Sequence, residues 1–295
     1  MNKQKIQSIL LLLITTIIWG CAFIAQSAGN VIGPFTFQTT RCFLAVIFLV
    51  TAALVIDLVK GRSILAGWKN KKLWTIGFFC GIALFAAASL QQVGLLYTDA
   101  GKAGFITAMY IVLVPVCGLF FKKKPPFSAI ISILVAVAGL YLLSCVGVSK
   151  INKGDLMLVG CALAFAVQIT LVDQYAADLD GLRLNCIQTL ICGIFSIPFM
   201  FTAEDPQLDA ILVNWFPLVF AGVLSMGVAY TLQIVGQKHL EPTPASLIMS
   251  LESVFAALGA WLILKETMSG PELIGSAMVF TAVIISQIPS KKQHR

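Results

Sequence analysis

The sequence predicts an all-α integral membrane protein of ten transmembrane helices, arranged as two inverted five-helix repeats. Three observations lead to this fold class. Hydrophobic residues make up 59% of the 295 positions and charged residues 11%, whereas about 25% of the residues in a soluble domain are charged. Ten apolar segments are long enough to cross a bilayer, and the second half of the chain repeats the pattern of the first.

The first apolar segment follows Lys3 and Lys5 and resembles a secretory signal peptide, with small residues at Ala25 and Ser27. However, it extends from Ile6 over the roughly 20 residues that a transmembrane helix needs, and the repeat described below requires it. We therefore expect this segment to be the first transmembrane helix.

The other segments are separated by short connections with turn-forming residues, such as Gly33-Pro34 and Gly270-Pro271. In the third segment, Gly77 and Gly81 are spaced so that a neighbouring helix can approach closely. The ten predicted helices cover residues 6–27, 34–56, 73–96, 103–121, 127–147, 154–174, 183–201, 214–237, 243–264 and 271–288.

The basic residues predict the orientation. Counted over alternate connections, fifteen Lys and Arg residues fall on the side of the N-terminus and four on the opposite side. The positive-inside rule makes the first side cytoplasmic, and an even number of crossings returns the C-terminus to it. We predict a multi-pass protein of the plasma membrane, monomer or homodimer, with both termini in the cytoplasm.

Composition also excludes some classes of protein. The net charge of +7 does not indicate a nucleic-acid partner, because Lys and Arg occur in short clusters between apolar stretches. The eight cysteines contain no CxxC pair and accompany only two histidines. We therefore expect neither a metal site nor a disulfide framework, and no cofactor.

An internal repeat is visible at an offset of 142 residues, which aligns residues 90–144 with 232–286 without a gap and with ten identities. A slightly larger offset aligns Trp19 with Phe165 in the first helices of the two halves. The motif LQxVG and the helix-loop-helix pattern that follows it occupy the same aligned positions in both halves.

Each repeat contains five predicted helices, with the first at residues 1–147 and the second at 148–295. Because five is odd, the second repeat enters the membrane from the opposite side. The repeats are then related by a pseudo-two-fold axis in the membrane plane, which is typical of many secondary transporters.

Several phrases are similar to one family. They are Trp19-Gly20 in the first helix, the lone Arg41 in the second, GFITAMYIVLVPV at 104–116, EPTPASLIMSLESVFAALGAWLILKE at 241–266, and Gly275. With these phrases the chain resembles the drug/metabolite transporter superfamily, EamA-like branch, over nearly its whole length. The resemblance implies a ten-helix metabolite carrier, often an exporter. Ser253 and Lys265 stand where many members have proline and glycine, which leaves the bend of the ninth helix open.

Ionisable groups inside a bilayer cost about 2.5–3.5 kcal/mol on insertion scales, so each one needs an explanation. Glu252 lies nine residues into the ninth predicted helix, close to the midplane. It is a candidate for substrate binding and for proton coupling, or else makes a structural hydrogen bond. Arg41 is a candidate for binding an anionic group, or else extends to the interface. An ion pair between Arg41 and Glu252 is a further alternative.

The repeat places Tyr110 at the position of Glu252, and Gln188 at the position of Arg41. The two halves thus share positions but differ in charge, which would give a bound solute a polarity. Other polar and aromatic side chains at similar depth are either substrate contacts or interhelical hydrogen-bonding residues. They are Trp19, Gln26, Gln38, Gln91, Gln168, Gln233 and Trp261, of which Trp19, Gln38, Gln91 and Gln233 complete the predicted substrate site.

We expect a secondary transporter for a small solute such as an amino acid or an amine, working by alternating access in the lipid bilayer, with export as the direction. The sequence has no P-loop, no HExxH and no GxSxG motif, so nucleotide-driven transport and enzymatic activity are not predicted. A channel or a sensor is the alternative, and a membrane-embedded enzyme is less favoured.

Overall fold

The computed structural model describes residues 3–123, 125–144, 151–263 and 268–287. Within these ranges the chain forms helices joined by short turns, and no strand is present. The all-helical fold is therefore confirmed for this part of the chain. The predicted repeat boundary at 147 and 148, as well as Lys265, lies outside the described residues.

The first half begins with long helices whose starts follow from local sequence. Gly33 has a φ of 95°, which other residues rarely adopt, and Pro34 follows it in the first turn, where no N–H is needed. Asn70 caps the third helix. The helices are α1 (Lys3–Gly29), α2 (Pro34–Val59), α3 (Lys71–Gly94), α4 (Ala100–Ala108), α5 (Tyr110–Phe120) and α6 (Phe127–Ser144).

The second half contains a π-helix at Phe220–Ala229 within one of its spans. Capping boxes start two helices, with Asn152 and Asp155 in the first and Ser269 and Glu272 in the second. The helices are α7 (Lys153–Tyr175), α8 (Gly181–Ala203), α9 (Leu208–Val213), α10 (Trp215–Val219), α11 (Tyr230–Gln237), α12 (Pro242–Met249), α13 (Leu251–Ile263) and α14 (Gly270–Ser286).

Seven stretches of the described chain are long and apolar enough to cross a membrane. They are Lys3–Ile32, Pro34–Val59, Lys71–Gly94, Ala100–Phe120, Lys153–Tyr175, Gly181–Ala203 and Trp215–Gln237, each at a predicted span. The fifth and tenth predicted spans are the shorter apolar helices α6 and α14, of 18 and 17 residues. The ninth is divided into α12 and α13.

The division falls at Ser250, where no proline or glycine marks it. The Ser250 hydroxyl donates to the Leu247 carbonyl oxygen (2.8 Å), and such bonds from serine to the preceding turn bend helices. The amide of Ser253 then bonds the Ser250 carbonyl, three residues back. Met109, between α4 and α5, makes similar bonds to residues three positions away.

The two halves interlock. α3 packs against α7 and α8, α2 against α8, α1 against α11 and α13, and α6 against α14. As the sequence predicts, Gly77 and Gly81 allow close approach: a Cβ on either would lie 2.6 Å from a side-chain carbon of Ile187 or Ile191 in α8. The core is thus shared between the halves.

Ion pairs join the halves near the helix ends. We call the side where α1 begins the amino-terminal face. Lys72 pairs with Asp178 (2.7 Å) at this face. At the opposite face, Lys102 pairs with Asp155 (2.6 Å), a carboxylate that Thr98 also contacts at 3.0 Å. Each pair connects a residue of the first half with one of the second.

Candidate functional site

A small buried cavity lies at the centre of the helical bundle. Its volume is about 30 Å³, room for one or two water molecules. Arg41 is 2% exposed and Glu252 is 5% exposed. The lining residues are Trp19, Phe23, Gln26, Arg41, Ala88, Gln91, Tyr110, Phe165, Ile169, Ser225, Met226, Tyr230, Gln233 and Glu252.

The cavity is built largely from residues at equivalent positions of the two halves. At the offset of 142 the lining pairs are Ala88 with Tyr230, Gln91 with Gln233, and Tyr110 with Glu252. At the slightly larger offset of 146 they are Trp19 with Phe165, and Phe23 with Ile169. The same helix faces of both halves therefore enclose the cavity.

Close helix approaches bring the polar residues to this place. A Cβ on Gly20 would lie 2.7 Å from Cβ of Phe255, so α1 lies directly against α13 beside Glu252. A Cβ on Gly222 would lie 2.8 Å from the Arg41 carbonyl oxygen, so the π-helix lies directly against α2. Both glycines are needed for contacts at this distance.

Tyr110 and Glu252 form the hydrogen bond at the centre of the site. Tyr110 Oη donates to Glu252 Oε1 (3.2 Å). The two residues follow the irregularities at Met109 and Ser250, respectively. Ser253, where many family members have proline, donates to the Gly104 carbonyl oxygen (3.0 Å) and links α13 to α4 beside this pair.

Arg41 contacts neutral groups. Its guanidinium donates to Gln38 Oε1 and lies 5.3 Å from the centre of the Phe37 ring. Within the described residues no ion pair joins Arg41 to Glu252, so the proposed pairing of the two is not observed. The cavity holds a buried cation and a buried carboxyl group that are separate from each other.

Three polar atoms of the lining have no hydrogen-bond partner among the described residues. They are Trp19 Nε1, Gln26 Oε1 and Gln233 Oε1. Buried polar groups are nearly always hydrogen-bonded in proteins, so each such atom marks a place for water or a ligand. The cavity therefore offers both donors and acceptors to a bound molecule.

Most of the predicted substrate residues meet in this cavity. Glu252, Arg41, Tyr110, Trp19, Gln91 and Gln233 line it. Gln38 and Gln188 are buried but lie outside the lining. Gln38 accepts from Arg41. Gln188 accepts from Gln168 Nε2 (3.2 Å), and Gln168 in turn accepts from Gln233. Arg41 and Gln188 occupy equivalent positions, but only the Arg41 side chain lines the cavity.

Other lining residues were not predicted as site residues, chiefly Phe165, Ser225 and Tyr230. The ring of Tyr230 packs on Trp19 with centroids 4.8 Å apart. The repeat places Phe165 opposite Trp19, a predicted substrate residue, and this was the available signal for Phe165. Tyr230 had no such signal, since aromatic residues are common throughout apolar helices.

A larger opening, which we call the vestibule, lies between α5, α7 and α12 at the amino-terminal face. Its volume is about 460 Å³, and its lining includes Lys123, Asp173, Lys238 and Glu241. Lys123 and Asp173 pair at 2.6 Å. On α7 the vestibule reaches Val172 while the central cavity reaches Ile169. About one helical turn, or ~5 Å, separates the two spaces.

Comparison with known proteins agrees with this architecture. A family model described as "EamA-like transporter family" matches residues 6–145 and again 152–287. A solved crystal structure is similar over 95% of this chain and 97% of its own, with a TM-score of 0.78 at 16% identity. That likeness concerns the fold alone.

Two relatives illustrate the range of similarity. An "uncharacterized transporter" of Archaeoglobus fulgidus is 32% identical over 277 residues, which cover 93% of this chain and 83% of the relative. The "threonine/homoserine exporter RhtA" of Escherichia coli is 26% identical over 190 residues, 61% of each chain.

Proposed function

Because the chain belongs to the EamA-like transporter family, we propose that it is a secondary transporter that moves a small metabolite by alternating access around the central cavity. The observation that carries this proposal is the cavity itself. It is buried, it is lined by equivalent residues of both halves, and it contains polar groups without partners. Substrate sites of many secondary transporters lie at such a repeat interface.

The proposed architecture has ten membrane-spanning segments in two repeats, and a two-fold axis in the membrane plane relates the repeats. Exchange of equivalent helices turns the packing of α1 on α13 into that of α7 on α5, and both contacts exist. It also turns α3 on α7 into α11 on α1, and both exist. The equivalent residues Tyr110 and Glu252 touch each other, as residues on the axis would.

The excess of Lys and Arg at the amino-terminal face supports a cytoplasmic position for this face in the plasma membrane. The vestibule would then open towards the cytoplasm, with the cavity about one helical turn beyond it. Export of a cytoplasmic solute is the direction that this arrangement favours.

The solute that fits the charges is a zwitterion such as an amino acid. Arg41 lacks a carboxylate partner among the described residues, and Glu252 lacks a cationic one. A carboxylate at Arg41 and an ammonium group at Glu252 would compensate both charges. Some relatives carry the name threonine/homoserine exporter, which supports this class of solute.

Glu252 is the group that we propose to carry a coupled proton. In proteoliposomes, a pH gradient should drive amino acid flux through the wild type, whereas Glu252→Gln should keep exchange but lose the dependence on the gradient. Glu272→Gln, at a half-buried acid in the capping box of α14, is the matched control. Gradient-driven flux at wild-type rate in Glu252→Gln would remove the proton role.

A further inference from the structure

Four buried amide side chains form a hydrogen-bonded chain that ends at the cavity. Gln233 Nε2 donates to Gln168 Oε1 (3.1 Å), and Gln168 Nε2 donates to Gln188 Oε1 (3.2 Å). Gln188 Nε2 donates to Asn185 Oδ1 (2.9 Å). We call this series the amide chain. It links α11, α7 and α8, and Gln233 is its one member in the cavity lining.

The far end of the amide chain has a fixed polarity. Asn185 Nδ2 lies 2.8 Å from the carbonyl oxygen of Met226 and 2.9 Å from that of Gly227. A backbone carbonyl can only accept a hydrogen bond, so the NH2 group of Asn185 must face the π-helix. Thr189 Oγ1, which lies 3.2 Å from Asn185 Oδ1, donates to that oxygen in the same orientation.

The orientation of Asn185 determines the orientation of every other member of the amide chain. With Asn185 Oδ1 facing Gln188, only the NH2 group of Gln188 can complete the bond, and the same holds for Gln168 and then for Gln233. The NH2 group of Gln233 therefore faces Gln168 and donates to it. Gln233 Oε1 is left unpaired, while only 1% of the residue is exposed. If the chain ran in the other direction, Gln233 would present a donor to the cavity.

Gln233 Oε1 is therefore one of several acceptors in the cavity, together with the unpaired Gln26 Oε1 and the carboxyl group of Glu252. A primary ammonium group has three donors and no acceptor, which matches this set. A carboxylate has no donors and does not.

We propose that Asn185, Gln188 and Gln168 are positioning residues that hold Gln233 Oε1 as an acceptor for the ammonium group of the solute. This assignment rests on the proposed transport function and narrows its substrate class to compounds with a primary ammonium group. The π-helix takes part because its carbonyls at Met226 and Gly227 set the direction of the chain. Irregular π-helical segments occur frequently at functional sites.

The test measures binding to the purified full chain by thermal shift. The twenty standard amino acids are screened with the wild type, and the one with the largest shift is then compared with its 2-hydroxy analogue, in which a hydroxyl replaces the ammonium group. Gln188→Met should weaken binding of the amino acid about tenfold, the effect of one hydrogen bond to a charged group. Binding of the hydroxy analogue should change less than twofold.

Gln188→Glu is the rescue variant. Its protonated carboxyl group can accept from Gln168 and donate to Asn185, so the selectivity for the amino acid should stay near that of the wild type. Thr170→Val is the control, because the Thr170 hydroxyl is buried in α7 but bonds the Ala166 carbonyl and Cys117, neither of which belongs to the amide chain. Its selectivity should be unchanged.

The outcomes separate the two levels of the proposal. If Gln188→Met weakens the binding of both compounds equally, or weakens the binding of neither, the positioning role is overturned and the transport function stays in place. Failure of all twenty amino acids to bind the wild type would overturn the ammonium site and the proposed substrate class together.

Discussion

At each end of the α2–α8 helix pair lies an acidic residue, and the two acids occupy equivalent positions of the repeat. Their interactions differ. At the amino-terminal face, Asp57 near the end of α2 pairs with Arg183 in the first turn of α8. At the opposite face, Glu204 after the end of α8 accepts from the amides of Phe35 (2.8 Å) and Thr36 (2.7 Å) in the first turn of α2. One end is an ion pair, and the other is a helix cap.

These residues correspond at an offset of 147, which relates Thr36 to Arg183 and Asp57 to Glu204. Each acid lies beside the first turn of the partner helix, where unpaired amides and the helix dipole favour negative charge. The repeat therefore retains the position of a group and allows its chemistry to vary. The cavity follows the same rule at Tyr110 and Glu252.

The largest effect should come from Arg183→Met. Asp57 is 2% exposed, and removal of its partner would leave a buried carboxylate uncompensated. Breaking a buried pair in this way costs about 3 kcal/mol. We expect a large fall in the thermal unfolding midpoint in detergent. An unchanged midpoint would show that this end of the pair does not contribute to stability.

A smaller effect should come from Glu204→Gln. The amide keeps one acceptor oxygen for the first turn of α2 but loses the charge and the second oxygen. The expected cost is about 1 kcal/mol, similar to the loss of a helix cap. The same unfolding measurement checks it. A loss as large as that of Arg183→Met would contradict the difference between the two ends.

Lys72→Met is the control for both variants. Lys72 and Asp178 form an exposed pair, and exposed pairs contribute little because water and salt screen them. The bond from Lys72 lowers the pKa of Asp178, so any stabilisation would be present at neutral pH and lost in acid. We expect no measurable change in the unfolding midpoint.

The sequence predicted positions better than side-chain directions. The repeat offset placed Tyr110 opposite Glu252, and the structure brings the two into contact. The same reasoning placed Gln188 opposite Arg41, yet Gln188 lies outside the cavity lining, since its donor is bound by Asn185. An offset predicts which backbone positions correspond. The direction of a side chain depends on partners from other helices.

Helix irregularities were also invisible in the sequence. At the break, the Ser250 hydroxyl bonds the preceding turn. Many serines in helices make such bonds without a break, so the serine alone did not predict it. The π-helix that anchors Asn185 carries no local signal either.

Counterflow tests directly whether the protein is a carrier. Proteoliposomes containing the wild type are loaded with an unlabelled amino acid that binds the protein, and uptake of the same labelled compound is followed with no other gradient. A carrier with alternating access predicts a transient, saturable accumulation of label, which Arg41→Met should abolish. Uptake that is absent, or that rises linearly with concentration and is independent of the internal amino acid, would contradict the carrier and favour a sensor or a channel.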